Sequence, residues 1–245
     1  MLITIKSCGV SAFPWTCFSM VLFLMAAFTL AQQVEVVPIT HASLILKWNG
    51  KAVYVDPWSQ GNYEGQPKAD LILITDIHPD HLDLRQVAAV RKPDTSIVAP
   101  PAAQSSIAEA RFLKNGEKAE VLGIGITAVP AYNLLRGPSA GQHFHPKGRG
   151  NGYLLEMSGK RIYVSGDTEC IPEMKQLKNI DMAFICMNLP YTMPPEEAAQ
   201  CVNEFRPKVV YPYHYRGSDL QVFKKAVTAP GVEVKLANWY PGETQ

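Results

Sequence analysis

The stretch LILITDIHPDHLD, residues 71–83, carries the side chains with the clearest chemical potential in this sequence. Four groups that can bind a metal follow its apolar run within six positions: Asp76, His78, Asp80 and His81. Imidazole and carboxylate together suit zinc, iron or manganese better than calcium. An EF-hand calcium loop is excluded, because its glycine and its terminal glutamate are missing. The spacing therefore predicts a metal site.

A polar turn is the alternative interpretation of the same stretch. Asp80 or Asp83 would then cap the helix that follows, as aspartate commonly does. A cap accounts for one aspartate, but it gives no reason for the two histidines or for Asp76, so the metal site is favoured.

Histidine and aspartate also occur in three other loops. Asp167 ends the strand-like segment RIYVSGD, and His214 follows the strand-like segment KVVYPY. The glycine-rich loop 133–151 carries His143 and His145. A single histidine at a strand end is usually an ordinary polar residue. Four such loops in one chain indicate instead that their side chains bind the same metal site.

The elements that would position these loops fall into two similar halves. Residues 43–56 and 153–167 are each predicted to form a hairpin with a Gly-Lys turn, and each segment ends in aspartate. Further strands and helices follow each hairpin, with helices predicted over 84–92, 101–116 and 194–205. Two β-rich halves followed by helices predict an α+β fold, in which two β-sheets pack face to face with the helices outside.

Length and composition suit one large folded domain or two small ones, and no nucleic-acid partner is expected. The chain has 245 residues, of which 47% are apolar and 18% charged, so a sizeable core is expected and wholesale disorder is excluded. A formal net charge of +1 gives no electrostatic case for a nucleic-acid partner.

The N-terminus has the pattern of an export signal. Lys6 is the only charged residue before Glu35, and an apolar run ends in the small residues Thr29 and Ala31. Residues 1–31 are therefore predicted to be a signal peptide, and 32–245 the mature domain, periplasmic or extracellular and without membrane contact. An uncleaved anchor is the alternative, because the uncharged run is long enough to span a bilayer.

Three cysteines would remain in the mature chain: Cys170, Cys186 and Cys201. Because three is an odd number, they cannot all pair with one another. One disulfide is an option, but buried thiols are favoured.

In combination, these motifs resemble the metallo-β-lactamase superfamily, and most of all its ascorbate-phosphate-lactonase-like branch of metal-dependent hydrolases. THASLILKWNGKAVYVDPW, IYVSGDTE and YPYHYRG carry the resemblance, which covers most of residues 34–240. It implies a four-layer αβ/βα sandwich with one or two divalent metal ions at one edge. Zinc is the favoured metal, with manganese or iron as alternatives.

The resemblance also implies which residues hold the metals. One site would use Asp76, His78 and His145. The other would use Asp80, His81 and His214. Asp167 would bridge the two metals. His145 is preferred to His143 because it lies in the FHPKG match.

Asp76 departs from the family pattern, which usually has histidine at this position. A carboxylate makes the first site harder and more anionic, which favours manganese or iron over zinc or leaves that site weak.

The implied chemistry is hydrolysis of an ester, lactone or phosphodiester bond in a small molecule, with an anionic substrate as one option. A bound metal lowers the pKa of its water from roughly 16 to about 7, which makes hydroxide available at neutral pH. Asp80 is the candidate catalytic residue that orients this nucleophile or accepts its proton. Five further residues are candidates for binding substrate: His41, Lys147, Arg149, Tyr191 and Arg216.

Two rival functions stay open at this point. GPSAG, residues 137–141, matches the nucleophile motif of serine hydrolases, and Asp167 and His214 follow Ser139 in the expected order. That motif requires a strand before it and a helix after it, whereas Pro138 and a glycine-rich loop flank this serine. The other rival is a non-catalytic protein of the same fold that binds a metal or a ligand.

Overall fold

The computed structural model describes residues 33–241, so the predicted signal peptide lies outside the described part. Thirteen strands in this part form two mixed sheets. The first sheet has the order β1 (Glu35–Thr40), β2 (Ser43–Trp48), β3 (Lys51–Val55), β4 (Ala69–Leu73), β5 (Arg91–Ala99) and β6 (Arg111–Phe112). The second has the order β13 (Glu233–Val234), β12 (Val209–Tyr213), β11 (Met182–Cys186), β10 (Lys160–Val164), β9 (Gly150–Met157), β8 (Ile124–Ala131) and β7 (Lys118–Val121).

Four α-helices connect the strands: α1 (Leu84–Val90), α2 (Pro172–Lys175), α3 (Pro195–Phe205) and α4 (Leu220–Ala226). Asp83 caps α1, because its Oδ1 accepts hydrogen bonds from the backbone N–H groups of Arg85 and Gln86. The cap therefore explains Asp83 and leaves Asp80 for another role. Within residues 33–241, none of the helices is both long and apolar enough to cross a bilayer.

The two sheets repeat one topology. β2 and β3 form an antiparallel hairpin that β4, β5 and β6 extend in parallel, and β9 and β10 form the matching hairpin that β11, β12 and β13 extend. In the first hairpin, Asn49 and Gly50 both have positive φ, as a two-residue turn between right-twisted strands requires. The structure thus confirms the predicted internal repeat and both hairpins.

Successive side chains along the central strands point to opposite faces of the first sheet, and both faces are buried. Leu44, Leu46, Val53 and Val55 pack into the core that the two sheets share, whereas Ile45 and its neighbours face the opposite layer with α1. Burial on both faces explains why these strands are almost continuously apolar. The predicted α+β sandwich, with facing sheets and outer helices, is confirmed.

The helix predicted over 101–116 is wrong. The segment forms a short 3₁₀ turn over Pro101–Ala103, then further turns, and then strand β6. Its helix-like spacing is real, since Ala103, Ile107 and Ala110 are all buried. However, Arg111 and Phe112 pair in parallel with β5, and extending the sheet takes precedence over the local helical pattern.

The preference for three buried thiols is also wrong. Cys170 and Cys201 form a disulfide that ties the loop after β10 to α3, and Cys186 is a buried free thiol. The sequence could not show this pairing, because disulfide connectivity depends on which residues the fold brings together.

Candidate metal centre

The loops that carry histidine and aspartate meet at one edge of the sandwich. Asp56 follows β3 directly, Asp76 and His81 follow β4, Asp167 follows β10, and His214 follows β12. β3 and β4 are parallel neighbours, as are β10, β11 and β12, so each set of carboxyl ends opens in the same direction. Such strand ends are where open α/β sheets bind ligands.

Three imidazoles converge on the Asp167 carboxylate. The Nε2 atoms of His145 and His81 lie 3.0 and 3.3 Å from Asp167 Oδ2, and His214 Nε2 lies 3.4 Å from Oδ1. Asp80 Oδ2 is 3.6 Å from the Nε2 atoms of both His81 and His214. Four of the predicted ligands thus lie close together: Asp80, His81, Asp167 and His214. His145 approaches the same Asp167 oxygen, Oδ2, as His81 does.

Hydrogen bonds behind two of these rings determine which nitrogen faces the centre. His81 Nδ1 lies 2.8 Å from Asp56 Oδ2, and His145 Nδ1 lies 2.8 Å from Asn133 Oδ1. The Asn133 amide is oriented in turn, because its nitrogen donates to Glu169 and to the Tyr191 carbonyl. Both Nδ1 atoms therefore donate outward, which leaves the Nε2 lone pairs directed at the centre, as metal ligation requires.

The charges of the centre also favour a cation. Burial lowers the pKa of His81, but the carboxylates of Asp167 and Asp56 outweigh it and raise that pKa well above its usual value. Burial opposes ionisation of Asp167 as well, but the imidazoles of His214, His81 and His145 hold its pKa well below the usual value. The environment therefore stabilises positive charge next to an ionised carboxylate.

One buried oxygen supplies the most direct test of whether a metal fits. Asp167 Oδ1 is inaccessible to solvent and has no hydrogen-bond partner among residues 33–241. A buried carboxylate oxygen without a partner is costly. Coordination to a metal would satisfy it, because His81, Asp167 and His214 form a group of converging ligand atoms. Asp80 Oδ2 lies 3.6 Å from both imidazoles of that group. The inner set of Asp80, His81, Asp167 and His214 therefore fits a divalent metal.

Asp56 and Asn133 are the site residues that sequence reasoning missed. Asp56 is fully buried and accepts hydrogen bonds from the backbone N–H and the hydroxyl of Thr75 as well as from His81. The internal repeat contained the signal, because Asp56 ends the first hairpin as Asp167 ends the second. No comparable pattern marks Asn133.

His41 lies beside the inner set. Its Nε2 is 3.2 Å from Asp80 Oδ2, and its Nδ1 is 2.6 Å from the Tyr240 hydroxyl, which accepts the backbone N–H of Arg216. Burial, reinforced by His214, lowers the pKa of His41 to about 4. A neutral His41 therefore donates from Nε2 to Asp80, while its Nδ1 accepts from Tyr240.

The backbone is strained at three of these positions. His41, Asp56 and His214 have φ values of 51°, 42° and 48°. The left-handed region costs a residue other than glycine of order 1 kcal/mol or more, and it persists only where surrounding contacts enforce it. All three residues end or join strands at the metal centre, which therefore contains three of the eight non-glycine residues with positive φ among residues 33–241.

The other predicted site, the outer set of Asp76, His78 and His145, differs from the inner set in containing an arginine contact. Asp76 Oδ2 lies 3.1 Å from His78 Nδ1 and 3.9 Å from His145 Nε2, so these three predicted ligands are indeed neighbours. Arg149 also contacts them, with Nε 3.0 Å from Asp76 Oδ1 and Nη2 2.7 Å from Asp76 Oδ2. His143, the alternative to His145, belongs to no group of converging ligand atoms in the described residues.

A cavity of about 640 Å³ opens over the centre. Among the predicted substrate-binding residues, His41, Tyr191 and Arg216 line it. Lys147 instead donates to Glu173 at 2.7 Å and covers the Tyr132 ring.

The serine motif has the wrong surroundings for a nucleophile. Ser139 is exposed in the long loop between β8 and β9, and does not stand at the junction of a strand and a helix that the motif requires. The geometry therefore gives no support to a serine hydrolase.

Comparison with known proteins agrees with this geometry. Residues 35–214 match the beta-lactamase superfamily domain. A UPF0173 metal-dependent hydrolase of Thermococcus onnurineus is 32% identical over 213 residues, which cover 79% of this chain and 91% of the relative. The chain belongs to the metallo-β-lactamase superfamily.

Solved structures of the superfamily share the architecture described above. A Parabacteroides distasonis protein, whose suggested role is that of a metal-dependent hydrolase, superposes with a TM-score of 0.79 at 42% identity, covering 84% of this chain and 93% of that one. The metallo-beta-lactamase fold protein YhfI of Bacillus subtilis superposes with a TM-score of 0.65 at 13% identity, covering 84% and 95%. The second match concerns the fold alone.

Proposed function

We propose that this metal-dependent hydrolase cleaves an ester, lactone or phosphodiester bond in a small molecule that enters the cavity over the metal centre. The observation that carries the proposal is the convergence of three imidazole Nε2 atoms on Asp167, a cavity-lining residue with a buried oxygen that has no hydrogen-bond partner among residues 33–241. Zinc is the proposed metal, because a donor set of histidine nitrogens and carboxylates suits it.

When bound, the metal supplies hydrolytic power by lowering the pKa of a coordinated water to about 7. The chain itself contributes by positioning the attacking water, and Asp80 is the residue proposed for this role. Asp80 lines the cavity, and burial opposes its ionisation, but the neighbouring imidazoles of His214 and His41 hold its pKa below the usual range. Asp80 is thus an ionised acceptor at neutral pH that orients the attacking water from a fixed position.

The cavity walls suggest the shape of the substrate. Phe144, Leu189, Pro190 and Tyr191 form an apolar side, with the Phe144 and Tyr191 rings edge to face at 5.1 Å. Arg216 stands on the rim with its guanidinium 5.3 Å from the Tyr240 ring centroid. These features support a substrate with an apolar part and an anionic group that pairs with arginine.

Metal removal tests the reaction class. We expect the purified mature domain to hydrolyse at least one member of a panel of p-nitrophenyl esters, aryl lactones and bis-p-nitrophenyl phosphate. Dialysis against a chelator is expected to abolish the activity and added zinc to restore it, because the nucleophile depends on the metal. Initial rates with metal content measured in parallel provide the check.

Ser139→Ala is the matched control for that experiment. The exposed loop serine is expected to be dispensable, so the variant keeps the wild-type rate. Loss of activity in this variant, or activity that survives complete metal removal, would reverse the assignment in favour of a serine enzyme.

Export is part of the proposal. The Cys170–Cys201 disulfide supports it, because disulfides persist in oxidising compartments. Expression of the full chain in a bacterial host should place the enzyme in the periplasmic fraction with a new N-terminus at Gln32. Full-length protein retained in the cytosol would contradict this.

A further inference from the structure

Arg149 contacts two of the three predicted ligands of the outer metal site, Asp76 and His78. Its guanidinium makes a two-point contact with Asp76, in which Nε donates to Oδ1 at 3.0 Å and Nη2 donates to Oδ2 at 2.7 Å. The same Nη2 lies 3.3 Å from His78 Nε2. Asp76 is 2% exposed, so this is a buried carboxylate paired with an arginine rather than a solvated surface contact.

The local backbone is built to bring the arginine there. Arg149 stands between Gly148, whose φ is +89°, and Gly150, where a Cβ atom would lie only 3.0 Å from the Thr75 carbonyl oxygen. The next residue, Asn151, donates its backbone N–H to that same carbonyl at 2.8 Å. This close approach of the start of β9 to the end of β4 holds the arginine against Asp76.

We propose that the Arg149 guanidinium replaces the metal of the outer site, so that the folded protein holds one metal ion per chain, at the inner set. Arginine stays charged at every accessible pH, and its fork matches a carboxylate. It already neutralises Asp76 and satisfies both of its oxygens. A divalent ion at the outer set would have to displace the guanidinium or share a buried space with it.

The inner set shows the contrast. There Asp167 retains an oxygen without a hydrogen-bond partner in the described part of the chain. The Nε2 lone pair of the facing His81 can bind a metal, because its Nδ1 donates to Asp56. At the outer set, both oxygens of Asp76 already accept from a permanent cation. Asp76 and Arg149 thus act as a pair: the substitution of the family's histidine by aspartate provides the partner that the arginine requires.

Metal counting tests the inference. We would load the wild-type chain, R149Q and the control K147A with excess zinc, remove weakly held ions by gel filtration, and measure metal per chain by mass spectrometry. Wild type and K147A are expected to hold one ion each. R149Q is expected to hold two, because its Asp76 is released to join His78 and His145 as a ligand. K147A is the matched control, since it removes a cation of the same loop that pairs with Glu173.

A second variant covers the case in which R149Q folds poorly because Asp76 is left without its partner. D76N/R149Q removes both charges together, and it is expected to melt near the wild-type temperature and to hold one ion. Two ions in the wild-type chain would overturn the inference, as would one ion in a folded R149Q.

The inference rests on the proposed function only in requiring a metal at the inner set. The two can fail separately. One zinc per chain without hydrolysis of any panel substrate would leave the inference standing and defeat the proposed function. Zinc-dependent hydrolysis by a wild-type chain that holds two ions would do the reverse.

Discussion

Replacing Asp167 by asparagine is expected to weaken metal binding at least about 10²-fold, because loss of a ligand costs more than loss of a group that merely supports one. Asparagine keeps the size of the side chain but removes the negative charge on which the His81, His145 and His214 Nε2 atoms converge. Hydrolysis is expected to fall by about 10³-fold or more, since water without the metal returns to a pKa of about 15.7.

Equilibrium dialysis with zinc and initial-rate assays at fixed metal concentration would measure the two effects of D167N. D219N is the matched control. Asp219 caps α4 by accepting from the Gln221 and Val222 backbone N–H groups, and asparagine is an equally good cap. Wild-type metal affinity in a folded D167N would remove Asp167 from the centre and with it the main support for the proposed function.

Much of the fold could be predicted because the local sequence pattern of the strands and turns agrees with their packing in the folded chain. The strands that pack on both sides are short, apolar runs, and the first hairpin turn is Asn-Gly, which accepts positive φ. The apolar spacing of residues 101–116 is helical and therefore predicts the wrong element. The deciding contact, between Phe112 and Ala99 of β5, lies outside the segment.

The site residues could be predicted where histidine or aspartate follows a strand end in the sequence. Asp80, His81, Asp167 and His214 stand beside strand ends, and parallel strands bring such ends together. The sequence predicts substrate binding for Arg149, because a basic residue in a glycine-rich loop does not identify its own partner. Only the folded chain places it against Asp76, 73 positions away.

Replacing Asp56, which is not among the predicted ligands, by asparagine is expected to have the second-largest effect. In wild type it accepts from the His81 Nδ1–H at 2.8 Å and from both the backbone N–H and the hydroxyl of Thr75. Asparagine can supply one accepting oxygen but presents an N–H₂ group in place of the other. With its oxygen kept on the Thr75 N–H, that N–H₂ group faces His81 Nδ1 and favours the tautomer protonated on Nε2, whose lone pair no longer points at the metal.

D56N is therefore expected to bind zinc about 10–100-fold more weakly. The metal-free protein is expected to lose about 1–3 kcal/mol of unfolding free energy, because buried hydrogen-bonding groups lose their partner. Urea unfolding of the metal-free chain measures the stability loss, and zinc titration of the folded chain measures the affinity. D70N is the control, since Asp70 lies on β4 and pairs with Lys92 and the Ala52 N–H. Equal zinc affinity in D56N and D70N would contradict the orienting role. Weaker zinc binding in D56N than in D70N would show that the first hairpin contributes to the centre by fixing the tautomer of His81.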